Sequence, residues 1–166
     1  FLMSMPIEYE DIELEATSKT TVGEGDYENP WIYQGTAFTS KRIDNFFGFV
    51  YCITNDTNGR QYVGRKYFWK FRTPRGKKRK VKSESDWKRY YGSCPELKEE
   101  IEQLGRQNFS RAILSLHKTA GKTNYEETRQ LFSRGVLTEA LGDGTPAYYN
   151  SNILSRYFRK NYFGGD

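Results

Sequence analysis

Hydrophobic and polar positions along the chain define short elements that change period often. The run Phe47 to Thr54 (FGFVYCIT) is aromatic and β-branched and predicts a strand. The cluster Asn55 to Gly59 (NDTNG) ends in Asn-Gly, a turn signal, and Arg60 to Val63 reads as the return strand of a β-hairpin. Ser83 or Ser85 can cap a short helix through Trp87 to Tyr91. Ser93-Cys94-Pro95-Glu96 has the capping-box pattern. In the helix that follows, ELKEEIEQL, Leu97, Ile101 and Leu104 share one face and Gly105 ends it. Phe109 to Leu116 predicts a third strand, with Ala112, Leu114 and Leu116 on one face and Ile113 on the other. Asn124-x-x-Glu127 is a second capping signature, opening a helix to about Leu137. Asp143-Gly144-Thr145-Pro146 is a loop, and residues 148–163 form a basic, aromatic helix or tail. The expected fold is α/β, a small, mainly antiparallel three-stranded sheet flanked by helices.

Before the hairpin, residues 1–28 have weak periodicity and read as a poorly ordered extension or surface strap. The aromatic stretch Asn29-Pro30-Trp31-Ile32-Tyr33 is expected to dock on the domain. The expected division is an N-terminal extension over 1–45, ordered in part from about 29, and a body over 46–166. Within the body, 65–82 is an inserted basic loop and 151–166 a basic aromatic tail.

Charge sharpens this division. The formal net charge is +5, but residues 1–30 hold eight acids and one base, a net of −7. The remaining residues hold 25 bases and 13 acids, a net of +12. Residues 65–82 carry ten Lys or Arg and no acid, with Pro74 and Gly76 in the middle, which favours a loop over a helix. A basic body of this kind points to a polyanionic partner, nucleic acid foremost. No apolar run approaches the ~20 residues of a membrane span. No secretory signal pattern opens the chain, and Cys52 and Cys94 form no paired motif, so an intracellular, reducing setting is expected. The one histidine, His117, excludes zinc sites built on paired histidines and nucleases that need several.

Phe49-Val50-Tyr51, followed after ten residues by Tyr62-Val63-Gly64, resembles the paired signature of the GIY-YIG nucleases. Only the Tyr of the first tripeptide survives; the second matches with Val for Ile. The order of the downstream parts fits as well: a helix bearing a glutamate after the third strand, then an asparagine near the C-terminus. Asp86 to Ser93 (DWKRYYGS) and Tyr148-Tyr149-Asn150 look like phage-encoded, homing-type members, and the resemblance spans roughly 46–152.

That resemblance implies hydrolysis of double-stranded DNA with one divalent ion, Mg²⁺ or Mn²⁺, no small-molecule cofactor and no membrane. It implies Tyr51 as the base that takes a proton from water. Free Tyr titrates near ~10, so that role needs positive charge nearby. Tyr62 would orient water or phosphate, Glu127 (or its neighbour Glu126) would hold the metal, and Asn150 would fix the geometry. The family's helix Arg has no single equivalent here: Arg72 fits the count, Arg65 and Lys66 follow the second strand directly, and Arg89 is the nearest Arg on a helix beginning at Asp86. Arg65, Lys66 and Arg72 stay together as candidate cations. The family histidine is missing, with Tyr90 in its place. Arg75, Lys77, Lys78, Arg79, Lys80, Lys82, Lys88, Arg89 and Tyr90 are expected to contact DNA.

Plainer readings exist for each part. The two tyrosines can be ordinary cross-strand packing, Glu127 a capping-box residue and Asn150 a helix cap. A chain with this fold can also bind DNA without cutting it. A restriction-type E-x-K core at Glu96-Leu97-Lys98 fits poorly, since that motif belongs on a strand and Pro95 opens a helix.

Overall fold

A computed structural model describes residues 27–165. The acidic residues 1–26 lie outside the described part, and with them most of the expected extension.

The centre is β3 (Gly48–Asn55), flanked by β4 (Gln61–Tyr67) and β7 (Phe109–His117), both antiparallel to it. Alternation along β3 sends Phe49, Tyr51 and Ile53 into one core and Val50 and Cys52 into another. The run is continuously apolar because both faces of the sheet are covered. Helix α1 (Pro95–Leu104) covers the first face with Leu97 and Ile101. Helix α2 (Ala120–Ser133) covers the second, where Leu131 joins Val50, Cys52 and Val63.

The sheet has five strands, not three, and it is mixed. Its order is β2-β1-β7-β3-β4, with β1 (Ile32–Tyr33) parallel to β7 and β2 (Thr36–Ala37) antiparallel to β1. Two-residue strands carry no readable period, and the β1–β7 pairing joins Ile32 to the distant Ala112 across nearly half of the chain. Arg111 anchors that pairing. It is almost fully buried, its Nε donates to the Asn29 carbonyl at 3.1 Å, and its guanidinium sits 4.6 Å from the Trp31 ring and 4.2 Å from the Tyr91 ring. Burial lowers its titration to about 10, so it stays charged at neutral pH.

Several local expectations are corrected. The basic segment contains a hairpin, β5 (Trp69–Arg72) with β6 (Val81–Glu84), and only its tip is a loop. Trp87–Arg89 is a single 3-10 turn with no side-chain cap, and no side chain caps α1 at Cys94. Thr119 caps α2 by accepting from the Lys122 N–H at 3.0 Å, which leaves Asn124 inside the helix. A register shift opposite Val50 and Tyr51 breaks the alternation in β7, so Leu116 joins the face of Ile113 while Leu114 packs on the other. The C-terminal residues form a small hairpin, β8 (Asn152–Ile153) with β9 (Tyr157–Phe158), then one helical turn, α3 (Arg159–Tyr162).

Candidate active site

The edge of β4 is where the candidate residues meet. Antiparallel register sets Tyr51 opposite Gly64 and Ile53 opposite Tyr62, so Tyr51, Tyr62 and Lys66 share one face of the sheet. Val63 and Arg65 take the other face, toward α2. The two tyrosine rings are 6.2 Å apart and tilted. A β-carbon on Gly64 would stand 2.5 Å from the Tyr51 hydroxyl, so glycine is what lets that phenol cross the strand. The degenerate positions of the first tripeptide lie outside the groove lining but pack behind it: the Phe49 ring is 6.0 Å from the Tyr51 ring in one core, and Val50 joins Val63 in the other.

A polar groove of about 450 Å³ runs along this edge. Tyr62, Val63 and Arg65 line it from β4, Ser93 to Pro95 from the start of α1, Glu127, Thr128 and Leu131 from α2, and Asn150 to Asn152, Leu154 and Ser155 from the C-terminal segment. That segment is fastened to the strand edge. Asn150 donates to the Val63 carbonyl at 2.9 Å and accepts from the Val63 N–H at 3.1 Å, imitating a strand partner. Tyr149 N–H donates to Gln61 at 2.7 Å, continuing the pairing.

Glu127 forms an ion pair with Arg65, Oε1 to Nε 3.2 Å. Its carboxyl titrates above the usual range because burial outweighs the attraction of Arg65. Glu126, the alternative ligand, turns elsewhere: Arg129 donates to it at 2.8 and 2.6 Å and Gln130 at 2.9 Å. Burial pushes the Glu126 carboxyl up, but those hydrogen bonds prevail and hold it below its ordinary value. Since Glu127 sits within the helix and faces the groove, it does not act as a capping residue.

Tyr51 is only 1% exposed. Burial, then the neighbouring Tyr62 and Tyr90, hold its phenol well above the normal range. Tyr62 is half-buried, lines the groove and is also raised by burial, with the Ser93 hydroxyl 3.5 Å away countering in part. Lys66 places its ammonium 4.1 Å from the Tyr90 ring and 2.6 Å from Asp86, whose carboxyl that contact lowers. Tyr90 meets Tyr51 edge to face at 6.0 Å.

The fold therefore brings Tyr62, Arg65, Glu127 and Asn150 to one groove at the β4 edge, with Tyr51 buried behind Tyr62, while Lys66 lies on the Tyr51 face, tied to Asp86 and outside the groove lining. Arg72 stands apart on β5, outside the groove, and so do Arg89 on its 3-10 turn and Arg75, Lys77 to Lys80 and Lys82 on the second hairpin. Lys88 lies beside the Tyr27 and Trp87 rings. His117 is held by Ser115 at 2.7 Å, and burial lowers its titration. Sequence reasoning missed Ser93, Thr128, Ser151, Asn152 and Ser155 as groove residues. Only Ser93 had a signal, its place just before a helix start.

Among the described residues, no three His, Cys, Asp or Glu side chains are grouped to share a metal ion, and no helix is long and apolar enough to cross a membrane. Glu127 offers a single carboxylate of which Arg65 engages one oxygen, a donor set suited to one hard cation that keeps other oxygen ligands. No curated protein and no solved structure matches the chain. A family model does match, over residues 31–153, described as "Putative endonuclease segE, GIY-YIG domain". The match begins at Trp31 and ends at Ile153, so it takes in the short strands β1 and β2, the paired tyrosines, Glu127 and the Asn150 clasp. The chain belongs to the GIY-YIG nuclease superfamily, in its segE-type family.

Proposed function

We propose that the protein is a metal-dependent endonuclease that hydrolyses phosphodiester bonds of double-stranded DNA at the β4-edge groove. The observation that carries this reading is the convergence of Glu127, Arg65 and Tyr62 on one polar groove, with Tyr51 directly behind. Glu127 would hold one Mg²⁺ or Mn²⁺, which when bound supplies positive charge to the scissile phosphate and its leaving oxygen. The chain's own residues do the rest. Arg65, beside Glu127 in the groove, would turn its guanidinium to a phosphate oxygen, where a charge-assisted bond is strong. The start of α1 opens on the groove without a side-chain cap, a setting that favours an anion.

Tyr62 holds water or phosphate from the groove wall, with Ser93 beside it. Tyr51 takes the water proton. At rest its buried phenol is neutral, so it would first have to release its own proton to solvent, which positive charge in the groove, from Arg65 or a bound cation, would favour. Asn150 is a positioning residue, since both its side-chain polar atoms are used on Val63. The hairpin tip and Lys82 meet phosphates outside the groove.

The test is nicking of supercoiled plasmid with Mg²⁺. Glu127→Ala should lose about 10²–10³-fold in rate while binding DNA as tightly as the wild type. Equal nicking by the variant would sink the mechanism. Binding by a wild-type protein that nicks nothing would instead identify a DNA-binding module with an idle site.

A further inference from the structure

The β5–β6 hairpin is a two-faced ribbon. In its register Trp69 faces Glu84, Lys70 faces Ser83, Phe71 faces Lys82 and Arg72 faces Val81. Trp69 and Phe71 look toward the body: Trp69 packs on the main core, and Phe71 stacks with Phe47, ring centres 6.4 Å apart and planes at 12°. Lys82, on the same face, lies 4.2 Å over the Trp69 ring. The outer face carries Lys70, Arg72, Val81 and Ser83, all exposed, and the tip between the strands adds five more cations. No acid occurs from 65 to 83.

The ribbon is rooted firmly. Phe68, just before it, is fully buried and its N–H donates to the Phe47 carbonyl at 2.9 Å. Ser85, just after it, donates through its hydroxyl to the Tyr67 carbonyl at 2.6 Å and through its N–H to Phe68 at 2.7 Å. Its base is thus tied to β4, the strand that carries the candidate site.

We propose that this ribbon enters the major groove of duplex DNA and that Lys70 and Arg72 read base edges there, apart from the phosphate that is cut. The inference rests on the nuclease reading and adds a recognition element to it. Dimensions favour one groove: the major groove, about 12 Å wide, admits a two-stranded ribbon in straight B-DNA, whereas the minor groove, about 6 Å wide, takes one only when the duplex is kinked and opened. Chemistry chooses the face. Arg and Lys donate to guanine O6 and N7, and an apolar side chain such as Val81, half exposed here, suits the thymine methyl. The cations of the tip meet the flanking phosphates and set register without reading sequence. Four residues per strand span about 13 Å, so the ribbon covers about four base pairs.

The test is dimethyl sulfate protection on end-labelled duplex fragments, using the full chain with Glu127→Gln in Mg²⁺. The expected result is a patch of protected guanine N7 positions, about four base pairs long and offset from the wild-type cut. Lys70→Ala with Arg72→Ala should erase the patch and lower the preference for that duplex over a shuffled one by about tenfold. Both residues are exposed, and Arg72→Lys gives a check that keeps the charge: affinity should hold while protection at its guanine weakens. Protection of adenine N3 alone, or an N7 patch indifferent to the double variant, would overturn the proposal. The two readings fail separately. Cleavage by the wild type with no N7 patch removes the ribbon inference alone, and an N7 patch without any cleavage removes the nuclease reading alone.

Discussion

The groove edge and the β5–β6 ribbon are adjacent in sequence, yet they are held in opposite ways. At the edge, side chains are locked by several partners each: Asn150 clasps both polar groups of Val63, Tyr51 is wedged over Gly64 among other rings, and Arg65 is tied to Glu127. On the ribbon, every residue from Lys70 to Glu84 except Pro74 is exposed, and order comes from backbone pairing and the Phe68–Ser85 root. Packing therefore fixes geometry at the edge to the scale of a methyl group, whereas the ribbon fixes only a direction and a density of charge. The first suits chemistry on one phosphate, and the second suits a long polyanion.

The contrast is sharpest in stability. Trp87 lies fully buried where the two regions join, with its indole donating to Glu84 at 2.6 Å and its ring 5.2 Å from Phe68. Trp87→Ala should cost about 3–5 kcal/mol. Phe71→Ala on the ribbon should cost about 1 kcal/mol or less. Equal losses in denaturant unfolding would show that the ribbon belongs to the cooperative core and would erase the distinction.

Gly64→Ala tests the edge at the level of one carbon. The new methyl would meet the Tyr51 hydroxyl at 2.5 Å, so the phenol or the strand must shift. We expect a stability loss of about 1–3 kcal/mol, with nicking falling further than stability alone explains. Full nicking by a folded variant would show that Tyr51 need not hold that position.

The smallest effect on the fold is expected at the ribbon tip. Replacing Lys77, Lys78, Arg79 and Lys80 with Ser should leave unfolding unchanged. It should reduce the slope of log affinity against log salt by up to about 0.9 per lost phosphate contact. An unchanged slope would take the tip out of the DNA interface.

The legible parts of the fold were those written in local pattern. The central hairpin, α1 with its Pro95 start and Gly105 stop, and the strand from Phe109 were readable because period and punctuation agree there. The short strands β1 and β2 were not, since two residues carry no period and the β7 partner of β1 lies some eighty positions away. Asn124 misled because Asn three residues before Glu looks like a cap, whereas Thr119, with no Glu or Gln three residues on, caps the helix by accepting from Lys122. The basic segment misled in a similar way: charge and Pro74 suggested a loop, but Trp69, Phe71 and Val81 supply enough β-forming surface for two short strands. In the candidate site, Tyr51, Tyr62, Glu127 and Asn150 were legible through order and spacing. The choice among Arg65, Lys66 and Arg72 was not.

By itself, then, the sequence determined the superfamily, the central hairpin with its paired tyrosines, and the concentration of positive charge behind an acidic beginning. These depend on residues near one another in the chain. Tertiary structure decided that Glu127 rather than Glu126 faces the groove, that Arg65 reaches it while Arg72 stands on a separate ribbon, and that the strand at Ile32 pairs with β7. Each of these depends on which face of a strand or helix meets a distant segment. A single register shift, such as the one in β7, reverses that choice without changing the composition at all.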